Sequence, residues 1–212
     1  MTDMINYGID LGTTNSAIAK FDGTNIRVIK NRDQNELTPS VIRIDKNKRI
    51  LCGKRAYQTL ILDPENVASE FKRLMGQSDK INFSAASLSL SPEELSAEVL
   101  KSLLADVRLQ TDEKVECAVI TVPAAFGQLQ CEATARAATL AGLEDAPLLQ
   151  EPPLAASIAY GMKADSRDKK WLVYDLGGGT FDLALFPPKM VTCQFWHIKG
   201  TTCLGGVRIS ID

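Results

Sequence analysis

Three short segments near the start of the chain are predicted to be strands. The run INYGID is largely apolar and ends in a carboxylate, and the runs NSAIAKF and IRVIKN alternate on either side of the turn DGTN. Such alternation is typical of strands with one buried face. The pattern breaks at Thr38-Pro39-Ser40, because the residue before a proline is pushed towards extended geometry. The first block is therefore predicted to be β-β-β.

The pattern changes between residues 39 and 90. Short strands are indicated by SVIRI and RILCG, a helical piece is indicated around ENVASEFKRLMG, and a polar stretch rich in serine and alanine follows. We interpret this segment as an insertion between two parts of one domain.

Helices alternate with strands from Ser91 onward. Ser91, Pro92 and Glu94 have the spacing of a capping box with proline at the first helical position. Leucines and valines then recur at helical spacing: Leu95, Val99, Leu100, Leu103, Leu104 and Val107. The run CAVITVP predicts a strand buried on both faces, a helix is expected from about Gly127 to Gly142, and PLLQE and PPLAASIAYGM predict a strand and a helix. This order indicates a mixed α/β domain with central parallel strands.

The pattern of the first strands and their glycine turn recurs late in the chain. After a charged connector at residues 164–170, WLVYDLGGGTFDLALF repeats the strand, glycine turn and strand of YGIDLGTTNS, and MVTCQFWHIKG predicts a third strand. Two copies of one hairpin unit imply a duplicated architecture.

Composition narrows the class of protein. The 212 residues are 45% hydrophobic and 24% charged, with a formal net charge of −2, as expected for a soluble globular protein that does not bind nucleic acid. No apolar run is long enough for a membrane span, and the start of the chain lacks the pattern of a secretory signal. The five cysteines form no CxxC pair, which indicates reduced thiols in a cytoplasm. The single histidine, His197, argues against a Ser-His-Asp triad.

The repeated hairpin has the chemistry of a phosphate site. Glycine turns let backbone N–H groups converge on an anion, and Thr13, Thr14 and Thr180 add hydroxyl donors. The carboxylates of Asp10 and Asp175 would repel phosphate directly, but they could hold a hydrated Mg²⁺ that bridges to it. Two such hairpins would clamp a polyphosphate from both sides. The alternative is that both are ordinary tight hairpin turns.

Two other phosphate motifs do not fit this chain. The segment closest to a Walker loop, GTTCLGGV, has Gly206 and Val207 where lysine and a hydroxyl are needed. The dinucleotide-binding pattern fails as well, because Asp182 stands where its third glycine should be.

The segments GIDLGTTNS, FKRLMG, ITVPAAF, LLQEP and YDLGGGTFD, taken in order, resemble the nucleotide-binding domain of DnaK-type chaperones of the heat-shock protein 70 family. The short segment between FKRLMG and the helix that starts at Ser91 resembles the smaller HscC-type members rather than DnaK itself. The resemblance implies the actin-like ATPase (ribonuclease H-like) fold, with ATP and Mg²⁺ between two lobes. It divides the chain into a core subdomain of lobe I (residues 1–38 and 91–164), an outer insertion subdomain (39–90) and the beginning of lobe II (165–212).

The resemblance also implies roles for individual residues. Lys72 would contact the γ-phosphate, and Glu151 would orient water and the metal shell. With Asp175 and Thr180 they make up the implied catalytic set. Phosphate contacts and metal ligands follow from the two hairpins: Gly12, Thr13, Thr14, Asn15, Gly177, Gly178, Gly179 and Thr180 for phosphate, and Asp10 and Asp175 for Mg²⁺. Without the motif, Lys72 would be read as a solvated helix lysine, and Glu151 as a carboxylate at a helix N-terminus. Implied partners are unfolded polypeptides, a J-domain co-chaperone and a nucleotide-exchange factor.

Some positions depart from the family pattern. Cys131 stands where an arginine is usual, and Thr201 and Cys203 replace an aspartate and a histidine. The expected remainder of lobe II is absent, so we expect a fragment with weak ATP binding, little turnover and an exposed sheet able to self-associate. Two alternatives stay open: a naturally truncated, non-catalytic interaction module, and an actin-like filament ATPase or small-metabolite kinase of the same superfamily.

Overall fold

The alternating segments at the start of the chain form strands of one sheet, as predicted. The computed structural model describes residues 5–123, 125–151, 171–176 and 181–186. The strands in these ranges are β1 (Tyr7–Asp10), β2 (Asn15–Phe21), β3 (Ile26–Val28), β4 (Thr38–Pro39), β5 (Val41–Ile44), β6 (Ile50–Cys52), β7 (Val67–Ser69), β8 (Ile81–Phe83), β9 (Leu88–Leu90), β10 (Val119–Pro123), β11 (Leu148–Glu151), β12 (Trp171–Leu176) and β13 (Phe181–Phe186).

The main sheet has the order β11-β10-β1-β2-β3, and β4 also pairs with β2. Strand β1 runs antiparallel to β2 and parallel to β10, so that Asp10 at the end of β1 pairs with Ala17 on one side and with Thr121 on the other. The parallel pair confirms the mixed α/β class and the predicted central parallel strands.

The helices are α1 (Lys54–Tyr57), α2 (Pro92–Thr111) and α3 (Gln128–Ala141). The predicted capping box is present at the start of α2, where the Glu94 N–H donates to Ser91 Oγ (3.2 Å) and the Ser91 N–H donates to the Glu94 carboxylate (2.7 Å). Helix α3 ends as predicted at Gly142, which has a φ of +93°. Proteins favour glycine at such a left-handed position after a helix.

The core lies between the main sheet and helices α2 and α3. Ile9, Ile18 and Ile120 of the sheet are buried together with the apolar stripe predicted for α2, whose buried members include Leu95, Val99, Leu100, Leu103 and Val107. The small residues of α3, Ala133, Ala137 and Ala138, are fully buried in the same cluster. Their short side chains allow α3 to pack closely against α2.

The prediction of a helical piece around ENVASEFKRLMG is wrong. Residues Pro64–Asn66 form one 3-10 turn, β7 pairs antiparallel with β5, and Phe71–Leu74 form a second 3-10 turn. Sheet pairing wins over helix propensity here because Ala68 is buried opposite Ile42, and because Glu70 adopts a left-handed conformation (φ +56°) that interrupts any helix. The strands predicted at SVIRI and RILCG are confirmed as β5 and β6. The stretch rich in serine and alanine contains the hairpin β8–β9.

The described chain divides into two compact units, one of residues 1–122 with 126–149 and the other of 123–125 with 150–212. In the second unit β12 and β13 pair antiparallel with Asp175 opposite Asp182, which confirms the two strands of the second hairpin. The predicted helix PPLAASIAYGM, the charged connector and the strand MVTCQFWHIKG lie outside the described residues. The three subdomain boundaries stay a prediction. No helix in the described ranges has the length and apolarity needed to cross a membrane.

Candidate functional site

The predicted phosphate loop of the first hairpin lies between β1 and β2. A Cβ added to Gly12 would sit 1.9 Å from the carbonyl oxygen of Asn15, so only glycine fits there. The turn is also tied to the rest of the unit, because the Ser40 N–H donates to the carbonyl of Thr14 at 2.8 Å. The loop is therefore a closed backbone turn, which exposes Thr14 and Asn15 and leaves Thr13 half-exposed.

Two buried serines hold this loop in a closed ring of hydrogen bonds. The Gly12 N–H donates to Ser16 Oγ (3.1 Å), Ser40 Oγ donates to the Gly12 carbonyl (2.8 Å), and the two hydroxyls lie 2.9 Å apart. Because the Ser40 proton is used on Gly12, the Ser16 hydroxyl is the donor to Ser40. Both side chains are at most 2% exposed. Neither serine was among the predicted site residues, although Ser16 ends the recognised segment GIDLGTTNS and Ser40 directly follows Pro39.

A cavity of about 420 Å³ opens beside the loop. Its lining includes the loop residues Thr13, Thr14 and Asn15, the residues Ser69 and Glu70, and the apolar or aromatic side chains of Val41, Tyr57 and Leu60. Glu70 lies two residues before Lys72, so the segment leading to the predicted catalytic lysine reaches the same cavity as the phosphate loop. Hydroxyl and amide groups around such a space can donate hydrogen bonds to phosphate oxygens.

Asp10 lies at the carboxyl end of β1, where parallel strands of open α/β sheets commonly carry their ligand sites. The residue is exposed, and the loop that follows has the close turn that a Cβ at Gly12 would fill. An exposed carboxylate next to a phosphate loop is a suitable ligand for Mg²⁺, which binds through one or two carboxylates and keeps several waters. These residues fit the metal that the resemblance implies.

Lys72 is buried rather than solvated. Its residue is 5% exposed and lies in the 3-10 turn Phe71–Leu74, and its Nζ is 5.5 Å from the centre of the Phe126 ring. The neighbouring Phe71 and Met75 are buried at 3% and 1%. The alternative interpretation of Lys72 as a solvated helix lysine is therefore wrong, since the residue is neither exposed nor in an α-helix.

The geometry of the turn requires a glycine at Gly76, the last residue of FKRLMG. It has a φ of +77°, and an added Cβ would lie 3.0 to 3.1 Å from backbone atoms of Leu129 and Gln130 at the start of α3. The absence of a side chain lets the turn that carries Lys72 approach the helix backbone closely.

The other predicted site residues are only partly described. Glu151 is the last residue of β11, and Asp175 lies in β12 one position before the strand ends. Gly177, Gly178, Gly179 and Thr180 lie outside the described residues. Among the predicted residues, the structure thus brings Thr13, Thr14 and Asn15 to one cavity, and the roles assigned to all of them stay predictions.

A second cavity, of about 240 Å³, lies between β6 and α2 and contains two perturbed groups. Burial raises the pKa of Asp106, although Arg32 opposes this effect from 3.5 Å. Burial also raises the pKa of the Cys52 thiol to about 11. Within the described residues Cys52, Cys117 and Cys131 are free thiols. A protonated, poorly nucleophilic thiol and an ion pair give this second cavity no evident chemistry.

Comparison with known proteins identifies the family. The family described as Hsp70 protein matches residues 6–209. The chain is 43% identical over 201 residues to the chaperone protein DnaK of Thermotoga neapolitana, and 41% identical over 201 residues to those of Thermotoga petrophila and Thermotoga maritima. Each match covers 94% of this chain and 33% of the relative, so the chain spans about a third of the length of these curated relatives.

The mixed sheet, the two glycine hairpins and the match over most of the chain agree with one another. The first unit has the sheet and helices of an actin-like ATPase fold, and β12 and β13 provide the second hairpin of that fold. The chain therefore belongs to the Hsp70 family and contains part of its N-terminal nucleotide-binding region.

Proposed function

We propose that this chain binds ATP with Mg²⁺ and takes part in ATP hydrolysis by a molecular chaperone, whose nucleotide state controls its binding of unfolded polypeptides. The observation that carries the proposal is the loop at Gly12–Asn15, which is closed by a buried ring of hydrogen bonds and opens onto a cavity lined by Thr13, Thr14 and Asn15. A rigid turn with several donors at the end of a strand supports phosphate binding.

The proposed roles rest on the family motifs and on the positions of the described residues. Asp10 would hold Mg²⁺, which when bound would neutralise charge on the phosphates. The loop residues would orient the phosphate chain by hydrogen bonds. The ammonium of Lys72 would stabilise negative charge that develops on the transferred phosphoryl group. The roles of Glu151, Asp175, Thr180 and the glycines 177–179 remain proposals that rest on the family motifs.

The phosphate-loop proposal predicts that recognition follows the phosphates. Binding of Mg²⁺·ATP would be measured by titration calorimetry, with inorganic tripolyphosphate and adenosine as competitors. We expect tripolyphosphate to compete and adenosine to compete much less, because the loop contributes the hydroxyls of Thr13 and Thr14 and the amide of Asn15 to the cavity. Competition by adenosine alone, or ATP binding that is indifferent to tripolyphosphate, would contradict the proposal.

Thr13→Val tests the loop itself and has a matched control. We expect Thr13→Val to weaken tripolyphosphate binding by about tenfold, the effect of one charge-assisted hydrogen bond. Thr24→Val makes the same change at an exposed turn between β2 and β3 and should leave binding unchanged. Equal losses in the two variants would show that the effect is not local to the cavity.

Catalysis is tested separately from binding. In single-turnover experiments with γ-labelled ATP, Lys72→Ala should bind nucleotide but lose most hydrolysis, since its proposed role is in the transition state. Unchanged hydrolysis would contradict a catalytic role for Lys72 and would leave the proposal that the loop binds phosphate unaffected.

The remaining parts of the proposal concern the whole protein. We propose unfolded polypeptides, a J-domain co-chaperone and a nucleotide-exchange factor as partners, and a cytoplasmic location, on the basis of family membership and the chaperone relatives. The subdomain boundaries at residues 38, 90 and 164 are proposed on the same basis.

A further inference from the structure

Successive residues at strand β4 line the two cavities described above. Thr38 lines the second cavity, whereas Pro39 and Ser40 line the cavity beside the phosphate loop. We infer that Asn31 is a positioning residue for the phosphate loop, which it reaches through its hydrogen bond to Thr38 and through β4. The inference rests on the proposed function, in which the loop binds phosphate.

Backbone pairing gives β4 few hydrogen bonds, because the strand has two residues and one of them is a proline. Thr38 and Pro39 pair with residues 15–16 of β2. Pro39 has no N–H to donate, and the next N–H, that of Ser40, donates to the carbonyl of Thr14. The exact position of so short a strand therefore depends on side-chain contacts as well.

Asn31 supplies such a contact through a side-chain amide that is used at both ends. Its Nδ2 donates to Thr38 Oγ1 and to the Leu37 carbonyl, both at 3.1 Å. Its Oδ1 accepts from the N–H groups of Asp33 and Asn35, both at 3.0 Å. Asn31 and Thr38 are only 6% and 4% exposed. One buried side chain thus fixes the connection between β3 and β4 and joins it to β4 itself.

A shift of β4 would reach the phosphate loop through Ser40. The Ser40 N–H donates to the Thr14 carbonyl and Ser40 Oγ donates to the Gly12 carbonyl, both at 2.8 Å. A displaced loop would present its donors less well to phosphate oxygens, since hydrogen bonds weaken steeply away from their preferred geometry. Asn31 lines the second cavity and not the one beside the loop, so its role is to position the loop rather than to bind phosphate.

Nuclear magnetic resonance tests this connection without nucleotide. Thr38→Val removes the hydroxyl that accepts from Asn31 and keeps the shape of the side chain. The amide proton of Gly12, which is remote from Thr38 in the sequence, should change its chemical shift in this variant. Thr38→Ser retains the hydroxyl and should return the Gly12 resonance close to its original position. A Gly12 resonance that is the same in Thr38→Val as in the unmodified chain would overturn the inference.

Titration calorimetry with tripolyphosphate connects the contact to binding, at a temperature where every variant is folded. Thr38→Val should weaken binding about three- to fivefold, the effect of one buried hydrogen bond, and Thr38→Ser should restore it. Asn31→Ala should weaken binding at least as much, and adding Thr38→Val to it should have little further effect, since both remove the same bond.

Asn35→Ala is the matched control. The exposed Asn35 side chain donates to the Asp33 carbonyl in the same connection and not to β4, so its loss should leave the affinity unchanged. An unchanged affinity in Thr38→Val, or an equal loss in Asn35→Ala, would overturn the inference and leave phosphate binding by the loop intact. If tripolyphosphate does not bind even the unmodified chain, the proposed function fails, while the Gly12 resonance still decides whether Asn31 and β4 position the loop.

Discussion

Replacing Ser40 with alanine removes one hydroxyl from the ring that closes the phosphate loop. That hydroxyl donates to the Gly12 carbonyl at 2.8 Å and lies 2.9 Å from Ser16 Oγ, from which it accepts. The alanine would leave both the Gly12 carbonyl and the Ser16 hydroxyl without these partners. The Gly12 N–H could still donate to Ser16, so the turn would be loosened on one side only.

The expected cost follows from the number of bonds lost. Each buried hydrogen bond contributes about 1 kcal/mol net, so the loss of two predicts a decrease in the free energy of unfolding of about 2 kcal/mol. For a domain of this size, 1 kcal/mol corresponds to about 2–4 °C in melting temperature, so Ser40→Ala should melt about 4–8 °C lower. Because the two serines share one bond, the effects of Ser16→Ala and Ser40→Ala should be less than additive in the double variant.

The assay is urea and thermal denaturation followed by far-ultraviolet circular dichroism. Ser89→Ala is the matched control, because Ser89 is exposed and donates to the Asn82 side chain across the β8–β9 hairpin. That control should lie within about 0.5 kcal/mol of the unmodified chain. A Ser40→Ala variant as stable as Ser89→Ala, or strictly additive effects of the two buried serines, would refute the hydrogen-bonded ring.

Three further predictions concern the loop and the second cavity. Gly12→Ala should reduce tripolyphosphate affinity by about tenfold or more, because the new Cβ would overlap the Asn15 carbonyl, whereas Gly8→Ala, where a Cβ meets nothing within 4 Å, should not. Asp106→Asn should raise the free energy of unfolding at pH 7. Burial raises the folded-state pKa of Asp106, so protonation favours the folded chain and stability falls as pH rises through that pKa. This increase in the free energy of unfolding should vanish below about pH 4. A decrease at pH 7 would show that the ion pair of Asp106 with Arg32 stabilises the chain by more than the burial of the carboxylate destabilises it. Cys52, with its pKa of about 11, should react with iodoacetamide at pH 8 about 200 times more slowly than an unperturbed thiol, a difference that urea should abolish.

Local signals predicted most elements of the first unit correctly. The alternation of NSAIAKF, the capping box at Ser91 and the glycine after α3 each depend on residues within a few positions of one another, and all three match the structure. The glycine loop before Asn15 was also recognisable, because a turn that needs a missing Cβ shows its requirement in the sequence itself.

The segment before Lys72 was mispredicted because its conformation is decided by a distant partner. A helical piece was predicted around residues 65–76, yet Ala68 pairs with Ile42 of β5. The β5–β7 pairing provides hydrogen-bond partners for the backbone of Val67–Ser69, and Ala68 is buried. Such pairing cannot be read from the segment alone.

The recognised segments contact residues that are distant in the sequence, and this explains why the roles of their residues could not be derived from each segment separately. Gly12 in the first segment is held by Ser40, Lys72 in the second lies over Phe126 in the third, and Gly76 packs on the backbone at Leu129. In each pair, the position of one residue determines which residue type is required at the other position. A lysine in a short turn is unremarkable until an aromatic ring from a distant turn lies above its ammonium, and a serine after a proline is ordinary until a loop carbonyl lies 2.8 Å away. The functional content of these segments therefore lies in their contacts, and paired variants across them should reveal couplings that single variants miss.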